Sequence, residues 1–179
     1  MVKPPLSKDL EGASRTSTWE YQSTIGLLNY ISGSSRPDIA YATHSDARFS
    51  ANTEASHNKG VKRIIKYLKG TKENGLIMYL KTDKGLECFV DADFAGGWST
   101  NKSDDPASLY SRSGYIIKYR NFPIIWASKL QSEIYLSRTE ADYIALSQAM
   151  MEVIPMMEHL EQLKITLNIE LKRPSMKCK

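Results

Sequence analysis

Two clusters of acidic residues have the residue types and spacing that could bind a divalent cation. Asp91 and Asp93 follow the apolar run 88–90, and Glu140 and Asp142 lie near the start of a helical pattern. An acid at the end of a buried strand needs a partner or a cation, because an unpaired buried charge is costly. Magnesium is typically held by one or two carboxylates and keeps several waters. Two such ions about 4 Å apart can activate a water and stabilise the leaving oxygen in phosphodiester hydrolysis.

Each acidic cluster also has a structural explanation. The tetrad 137–140 (Ser-Arg-Thr-Glu) predicts a capping box, with Ser137 as the N-cap and Glu140 at the third helical position. Asp142 lies beyond the cap, where the helix dipole stabilises an acid only weakly. Asp-Ala-Asp sequences also occur in ordinary surface turns. Spacing alone therefore leaves both a metal site and solvated surface acids open.

A third candidate is a basic helix in the first half of the chain. Apolar residues at 61, 64, 65 and 68 have the i, i+3, i+4, i+7 spacing of a helix face, which predicts a helix over 54–69. No acid lies between Lys59 and Lys72. A helix with this charge suits a polyanionic partner such as nucleic acid, and a solvated helix face is the alternative. The basic residues concerned are Lys59, Lys62, Arg63, Lys66 and Lys69.

The elements that must position these residues follow from the change in hydrophobic period along the chain. Helical spacing predicts helices over 18–31, 37–50 and 54–69, and short helices of this kind must pack as a small bundle. Alternating or apolar runs predict strands over 75–80, 86–91, 114–119, 124–127 and 133–136.

A long helix is predicted from Arg138, with Pro155 expected to kink or split it. Its predicted apolar seam is Tyr143, Leu146, Met150, Val153, Met157 and Leu160. The tail from Ser175 to Lys179 could open a further strand. The order of elements is three helices, a run of antiparallel strands, then a long helix, which indicates an α/β or α+β fold after a boundary near residue 74.

Composition restricts the class of protein. The 179 residues are 41% hydrophobic and 25% charged with net charge +4, values typical of a globular protein. No apolar run approaches the roughly 20 residues that span a bilayer, and the first residues do not form a signal peptide. Cys88 and Cys178 have no metal-ligand spacing, so we expect reduced thiols in an intracellular protein.

Five sequence blocks in this order resemble consecutive landmarks of copia-type LTR retrotransposon Pol polyproteins. Together they cover nearly everything from residue 20 onward, and five collinear blocks are far more specific than one. The blocks are YQSTIGLLNYISGSSRPDIAYAT from Tyr21, VKRIIKYLKGTKENGL from Val61, FVDADFAG from Phe89, SRSGYIIKYRNFPIIWASKLQ from Ser111 and LSRTEADYIALSQA from Leu136.

The resemblance implies a flexible lead-in over 1–17, a helical reverse transcriptase thumb over 18–74 and a ribonuclease H domain over 75–179. The implied fold class is α/β, an incomplete ribonuclease H-like mixed sheet preceded by a three-helix thumb-like module. In such proteins the thumb's basic helices follow the phosphates of a duplex, and ribonuclease H cuts the RNA strand of an RNA–DNA hybrid using magnesium. By motif match, Asp91 takes the place of the first metal-binding acid, on the central strand, and Asp142 that of the second, with Glu140 as its rival.

Two departures from the family pattern lower the activity we expect. The family has Glu at the place of Asp142, and a side chain one methylene shorter withdraws the carboxylate by about 1 Å, which can cost about 100-fold in rate. A third acid follows the strand after the long helix in the family, and Lys179 stands where that strand would begin. We therefore expect weak binding of magnesium, or of manganese in its place, and little or no activity from this chain. A non-catalytic nucleic-acid-binding fragment and a remnant without function are the alternatives.

The same resemblance sets the expected partners and location. The partners are an RNA–DNA hybrid or duplex nucleic acid and the remainder of the Pol polyprotein, with no membrane. The expected location is intracellular, in the cytoplasm, in virus-like particles or in the nucleus.

Overall fold

The computed structural model describes residues 19–51, 53–76, 84–98 and 106–168. Contacts divide the chain into two compact units, Met1–Leu76 with Gly97–Leu109, and Ile77–Gly96 with Tyr110–Lys179. We call the first the helical unit and the second the sheet unit. The functional identity of the two predicted domains stays a prediction.

The helical unit contains the three predicted helices, with the second shorter than expected. Its elements are α1 (Tyr21–Ser34), a 3-10 turn (Pro37–Ile39), α2 (Ala40–Ala47) and α3 (Ala55–Gly70). Pro37 begins the 3-10 turn, where its missing N–H costs nothing. The predicted helix 37–50 ends early because Phe49 and Ser50 donate to carbonyls three residues back, those of Asp46 and Ala47, which tightens the last turn.

The three helices bury one apolar cluster between them. The predicted stripe on α3 is confirmed at Val61 and Ile64, and Leu68 packs at the margin of the cluster. Ile65 is 42% exposed, so including it in the buried stripe was wrong. The fully buried members of the cluster are Tyr21, Ile25, Leu28, Ile39, Val61 and Ile64.

A guanidinium group ties the α1–α2 connection to the end of α3. Arg36 donates to the Asp38 carboxylate at 3.0 and 2.7 Å, and also to the Thr71 carbonyl at 3.1 Å and the Thr71 hydroxyl at 2.7 Å. The Tyr67 hydroxyl donates to the same carboxylate at 2.8 Å. The hydrogen bonds from Arg36 hold the pKa of Asp38 below its ordinary value. This contact orients the basic helix α3 within the helical unit.

The sheet unit is a three-stranded antiparallel sheet with one helix packed on it. Its elements are β1 (Leu86–Asp93), β2 (Arg112–Tyr119), β3 (Phe122–Leu130) and α4 (Arg138–Leu167), and the strand order is β1-β2-β3. Arg120 and Asn121 connect β2 to β3 with φ values of 51° and 70°, the left-handed conformation that a two-residue hairpin turn requires. The coarse α/β prediction is thus confirmed.

Several finer predictions about the sheet unit need correction. Residues 133–136 form no strand; they lead into α4, whose first turn is capped by Ser137. Within the described residues β1 pairs with β2 alone, so the central place that the resemblance implied for the strand of Asp91 stays a prediction. Residues 77–80 of the predicted first strand, Cys178 and the tail from Ser175 lie outside the described residues.

The buried face of α4 contains part of the predicted seam together with an alanine row that the prediction missed. Val153 is fully buried and Met150 and Met157 pack against the same cluster, as predicted, whereas Tyr143 is 66% exposed, so including it was wrong. The fully buried row follows an i, i+4 spacing of mostly small residues: Ala141, Ala145, Ala149 and Val153. Alanines in this row allow the helix to approach the sheet closely.

Pro155 does not split α4, which continues to Leu167. Its ring nitrogen cannot donate to the carbonyl four residues back, at Met151. Met151 is 70% exposed and Val153 is the last buried residue of the helix, so solvent can satisfy that carbonyl. None of the helices in the described ranges combines the length and apolar character that a bilayer crossing needs.

Candidate functional site

The two acidic clusters lie at the same end of the sheet unit. Ala92 of β1 packs against Ala141 and Ala145 of α4, and all three are almost fully buried. Asp91 is the chain neighbour of Ala92, and Asp142 is the chain neighbour of Ala141. The alanine contact therefore holds the backbone segments that carry these two acids next to each other.

Asp91 nevertheless points away from α4. Leu86 and Cys88 pack with Ala149 and Val153 on the α4 side of the sheet, so the alternation of a strand directs Asp91 to the opposite face. Asp91 is exposed there and pairs across the ladder with Gly114. A carboxylate on α4 can reach Asp91 only around the outer edge of β1, which no described strand covers.

Glu140 is engaged at the start of α4. Its backbone N–H donates to Ser137 Oγ at 3.2 Å, which confirms Ser137 as the N-cap. The Glu140 carboxylate accepts the Leu136 N–H at 3.0 Å, one residue before the N–H expected in a capping box. Binding a cation would therefore compete with this hydrogen bond.

Asp142 lies on the exposed side of α4, and no ion pair or hydrogen bond of its carboxylate exists among the described residues. Asp142 is therefore more available to bind a cation than Glu140, whose carboxylate already accepts a hydrogen bond. The choice of Asp142 over Glu140 as a ligand stays a prediction.

Asp93 belongs to the turn that follows β1. Its carboxylate occupies the place where a Cβ on Gly96 would lie, so a larger residue at position 96 would displace the Asp93 side chain. The neighbouring Ala95 has a φ of 46°, which closes the turn in the left-handed conformation. For Asp93 the surface-turn explanation of the Asp-Ala-Asp sequence therefore suffices.

Gln131 is a positioning residue that the sequence did not reveal. Its side chain is 2% exposed, and its Nε2 donates to Ser113 Oγ and to the Ala141 carbonyl, both at 2.9 Å. The amide thereby fixes the first turn of α4 to the central strand. A single Gln between a strand and a helix has no periodicity that would have marked it.

The donor chemistry of the acids suits magnesium, but no preformed cage exists in the described part of the chain. No group of three or more His, Cys, Asp and Glu residues there could hold a metal ion. Carboxylate oxygens are the ligands magnesium prefers, and it commonly uses only one or two together with waters and substrate phosphates. Asp91 and Asp142 each offer such an oxygen, but Asp91 lies on the face of the sheet opposite α4, and a site built wholly from described side chains is not present. The ligand assignments of Asp91, Asp142 and Glu140 stay predictions.

The second candidate surface is the basic side of α3. All five predicted basic residues are exposed, while Val61 and Ile64 face the helical core. Positions 59, 62, 66 and 69 recur every three or four residues, so they lie along one side of the helix. No acid interrupts α3 between Ala55 and Gly70. The helix thus presents a continuous cationic row whose use by a partner stays a prediction.

Comparison with known proteins places the chain among transposon proteins. It is 32% identical over 174 residues, 97% of the chain, to the retrovirus-related Pol polyprotein from transposon RE1 of Arabidopsis thaliana. It is 36% identical over 80% of the chain to the corresponding polyprotein from transposon TNT 1-94 of Nicotiana tabacum. The chain spans only 11% and 10% of the lengths of these two relatives.

A shorter relative matches over most of its own length. The secreted RxLR effector protein 161 of Plasmopara viticola is 34% identical over 134 residues, which are 75% of this chain and 89% of that protein. No family model and no solved structure matches the chain. Pol polyproteins at 30–36% identity cover 80% or more of the chain, so the chain belongs to the copia-type retrotransposon Pol polyproteins.

Proposed function

We propose that the sheet unit is the first part of a ribonuclease H domain, within a polyprotein that cuts the RNA strand of RNA–DNA hybrids. The observation that carries the proposal is the packing of Ala92 on Ala141, which holds Asp91 and Asp142 at one end of the unit. The membership in a Pol family supports it, because hybrid hydrolysis belongs to the reaction cycle that such polyproteins imply. The chain spans about a tenth of its Pol relatives, so the activity is proposed for the polyprotein rather than for this stretch by itself.

In this proposal two acids bind the metal ion, and two other residues stabilise the start of α4. Bound magnesium would supply an activated water and stabilise the leaving oxygen. Asp91 and Asp142 would hold the ion from the strand and from the helix, on either side of the outer edge of β1. Gln131 would fix the helix turn that carries Asp142, through its bond to the Ala141 carbonyl. The Glu140 carboxylate would stay on the Leu136 N–H and stabilise the start of the helix.

Manganese titration followed by NMR tests the proposal directly. We expect the paramagnetic ion to broaden amide signals around Asp91 and Asp142 first, and Asp91→Asn to remove that broadening. Glu87→Gln is the matched control, because Glu87 lies on the same strand and face but pairs with Lys84 at 3.2 Å. Any cleavage of an RNA–DNA hybrid should disappear in the Asp91 variant and persist in the control. Broadening centred elsewhere, or unchanged by Asp91→Asn, would contradict the proposal.

We further propose that the basic row of α3 binds the phosphate backbone of nucleic acid. The supporting observation is that Lys59, Lys62, Lys66 and Lys69 are all exposed along one side of a helix without acids. Such contacts release counterions, so affinity should fall steeply with salt concentration and depend little on sequence.

The salt dependence of affinity for a short duplex tests this second function. Replacing Lys62 and Lys66 by Ala should lower the slope of log affinity against log salt by roughly 2, since each phosphate contact contributes about 0.9. Arg63 is left intact because it also attracts the buried Asp46. A double Ala variant at Lys129 and Lys164, in the sheet unit, removes the same charge and should leave the slope unchanged. Equal slopes in the two double variants would rule out the assignment.

A further inference from the structure

Asp46 is a carboxyl group buried inside the helical unit, on α2. It is 3% exposed, and its carboxylate makes no hydrogen bond or ion pair with any described residue. The Tyr21 hydroxyl donates to the backbone carbonyl of Asp46 at 2.9 Å, which fixes this turn of α2 against α1. On α2 itself, His44 and Arg48 are two residues away and so do not face Asp46. Because a buried charge without a partner is costly, the carboxyl group favours its protonated form.

Arg63 on α3 is the charged group that acts on this carboxyl group. Its guanidinium attracts the carboxylate and opposes part of the rise in the pKa of Asp46 that burial causes. His57, also on α3, uses its Nδ1 to accept the backbone N–H of the helix N-cap. Asp38, in the 3-10 turn before α2, is paired with Arg36. Among the described residues, Arg63 is therefore the group whose charge can compensate that of Asp46.

Arg63 belongs at the same time to the basic side of α3. Its side chain is exposed and has no ion pair in the described part of the chain. Lys59 and Lys66 lie four residues before it and three residues after it, so they are its neighbours on the helix surface. A guanidinium group binds phosphate through two parallel hydrogen bonds. The charge of Arg63 can therefore serve either the buried carboxylate or a phosphate outside the protein.

We propose that binding of a phosphate backbone to the basic side of α3 is coupled, through Arg63, to binding of a proton by Asp46. The coupling rests on the proposed binding of nucleic acid by α3. When Asp46 is protonated, the whole charge of Arg63 is available to the phosphate. When Asp46 is ionised, part of that charge is compensated inside the protein. The coupling is reciprocal, so a phosphate that draws Arg63 away must also strengthen proton binding by Asp46.

The direction and size of the expected pH effect follow from this coupling. The pKa of Asp46 is about 7 in the free protein, and we expect the bound phosphates to raise it by about one unit. Affinity for a duplex should then fall roughly fivefold between pH 6 and pH 8. Binding at pH 7 should take up roughly 0.4 proton per chain, because about half of the free chains and about nine-tenths of the bound chains carry the proton.

Two measurements on the full chain test the coupling. Fluorescence anisotropy of a labelled short duplex at pH 6, 7 and 8, at one ionic strength, gives the affinity. Calorimetry in two buffers with different enthalpies of ionisation gives the proton uptake. Asp46→Asn should keep the affinity of the parent at pH 6 and lose both the pH dependence and the uptake, because it has no proton to exchange.

Two further variants complete the experiment. Asp38→Asn is the matched control, because it removes another acid of the helical unit whose pKa Arg36 holds below the ordinary value; it should keep the pH dependence and the uptake of the parent. Arg63→Gln should lose most of the uptake, because without the guanidinium the Asp46 carboxyl group stays largely protonated at pH 7. Arg63→Gln carries the test if Asp46→Asn does not fold.

The outcomes separate this coupling from the proposed function. If the parent binds the duplex and Asp46→Asn keeps the same pH dependence and uptake, the coupling is overturned and nucleic-acid binding stands. Uptake that Asp46→Asn removes but Arg63→Gln keeps in full would overturn the route through Arg63. If the parent does not bind the duplex, the coupling and the proposed binding both fall.

Discussion

Asp46 is a buried carboxyl group whose ionisation should set the pH dependence of the helical unit. It lies in α2 and is 3% exposed, and burial raises its pKa from 3.8 to about 7, with Arg63 opposing part of that rise. The Tyr21 hydroxyl donates to the backbone carbonyl of Asp46 and not to its side chain, so Asp46→Asn leaves that bond intact. The substitution therefore removes the titrating group with little change to its packing.

The expected magnitude follows from the difference between the folded and unfolded pKa values. A carboxyl group whose folded-state pKa is raised loses stability as the pH rises from its unfolded value through its folded value, and the loss is complete above pH 7. The full difference corresponds to roughly 4 kcal/mol of unfolding free energy, of which roughly 3 kcal/mol falls between pH 5 and pH 8. The Asp46→Asn variant should lack this decline.

Urea unfolding at pH 5, 6, 7 and 8 measures the effect. Trp19 reports on the helical unit, because it packs against the helical core and its ring stacks on Tyr21 with centroids 5.8 Å apart. Phe substitutions at Trp98 and Trp126 in every protein leave Trp19 as the single tryptophan. Other groups that titrate in this range contribute equally to parent and variant, so the difference between them isolates Asp46.

Asp38→Asn is the matched control for this experiment. The Arg36 guanidinium holds the pKa of Asp38 below its ordinary value, so the stability from Asp38 is lost only as the pH falls through the acidic range. Its replacement should leave the slope between pH 5 and pH 8 unchanged. Equal slopes for the parent and Asp46→Asn would refute the reasoning, because they would mean that the buried carboxyl group is already ionised at pH 5.

Three further predictions concern the sheet unit. Gln131→Leu should lower its unfolding free energy by roughly 1–3 kcal/mol in denaturant titrations, since it removes two buried hydrogen bonds; an unchanged midpoint would contradict this. Ala145→Leu should cost roughly 1–3 kcal/mol by forcing α4 away from β1, whereas Tyr143→Ala should change stability by less than about 0.5 kcal/mol. Equal effects of the two would show that the alanine row is not the packed face. Asp142→Glu should raise magnesium-dependent hybrid cleavage by up to about 100-fold in the polyprotein, by restoring the reach of the carboxylate; a lower rate would remove Asp142 from the site.

The sequence predicted well those elements whose signals are local. The start of α4 followed from a Ser N-cap with Glu three residues later, and the β2–β3 connection followed from Arg120 and Asn121, since both features depend on neighbouring residues alone. The early end of α2 and the alanine row on the buried face of α4 were missed. Both depend on packing, because a row of alanines at i, i+4 carries little hydrophobic signal until the sheet beneath it is known.

In the candidate site, too, local features could be predicted from the sequence and features that depend on packing could not. The identity of the acids was evident from their types and neighbours, but the face on which Asp91 lies depends on strand register relative to α4. The capping role of Glu140 was predictable, while its exact partner, the Leu136 N–H, was not. Gln131 could not be found from the sequence, because its role depends on contacts with Ser113 in β2 and Ala141 in α4.

The placement of Asp91 and α4 on opposite faces of the sheet limits how a metal site can form. A cation bound by Asp91 alone would be held as loosely as by any exposed carboxylate, so the site needs ligands that come around the outer edge of β1. That edge carries no partner strand in the described residues, and the first turn of α4 is fixed nearby by Gln131 and Ala92. A strand added along the edge of β1 would bring its own side chains beside Asp91 without moving α4. The unpaired edge of β1 is therefore the physical reason that metal affinity should depend on polypeptide supplied from beyond the described sheet.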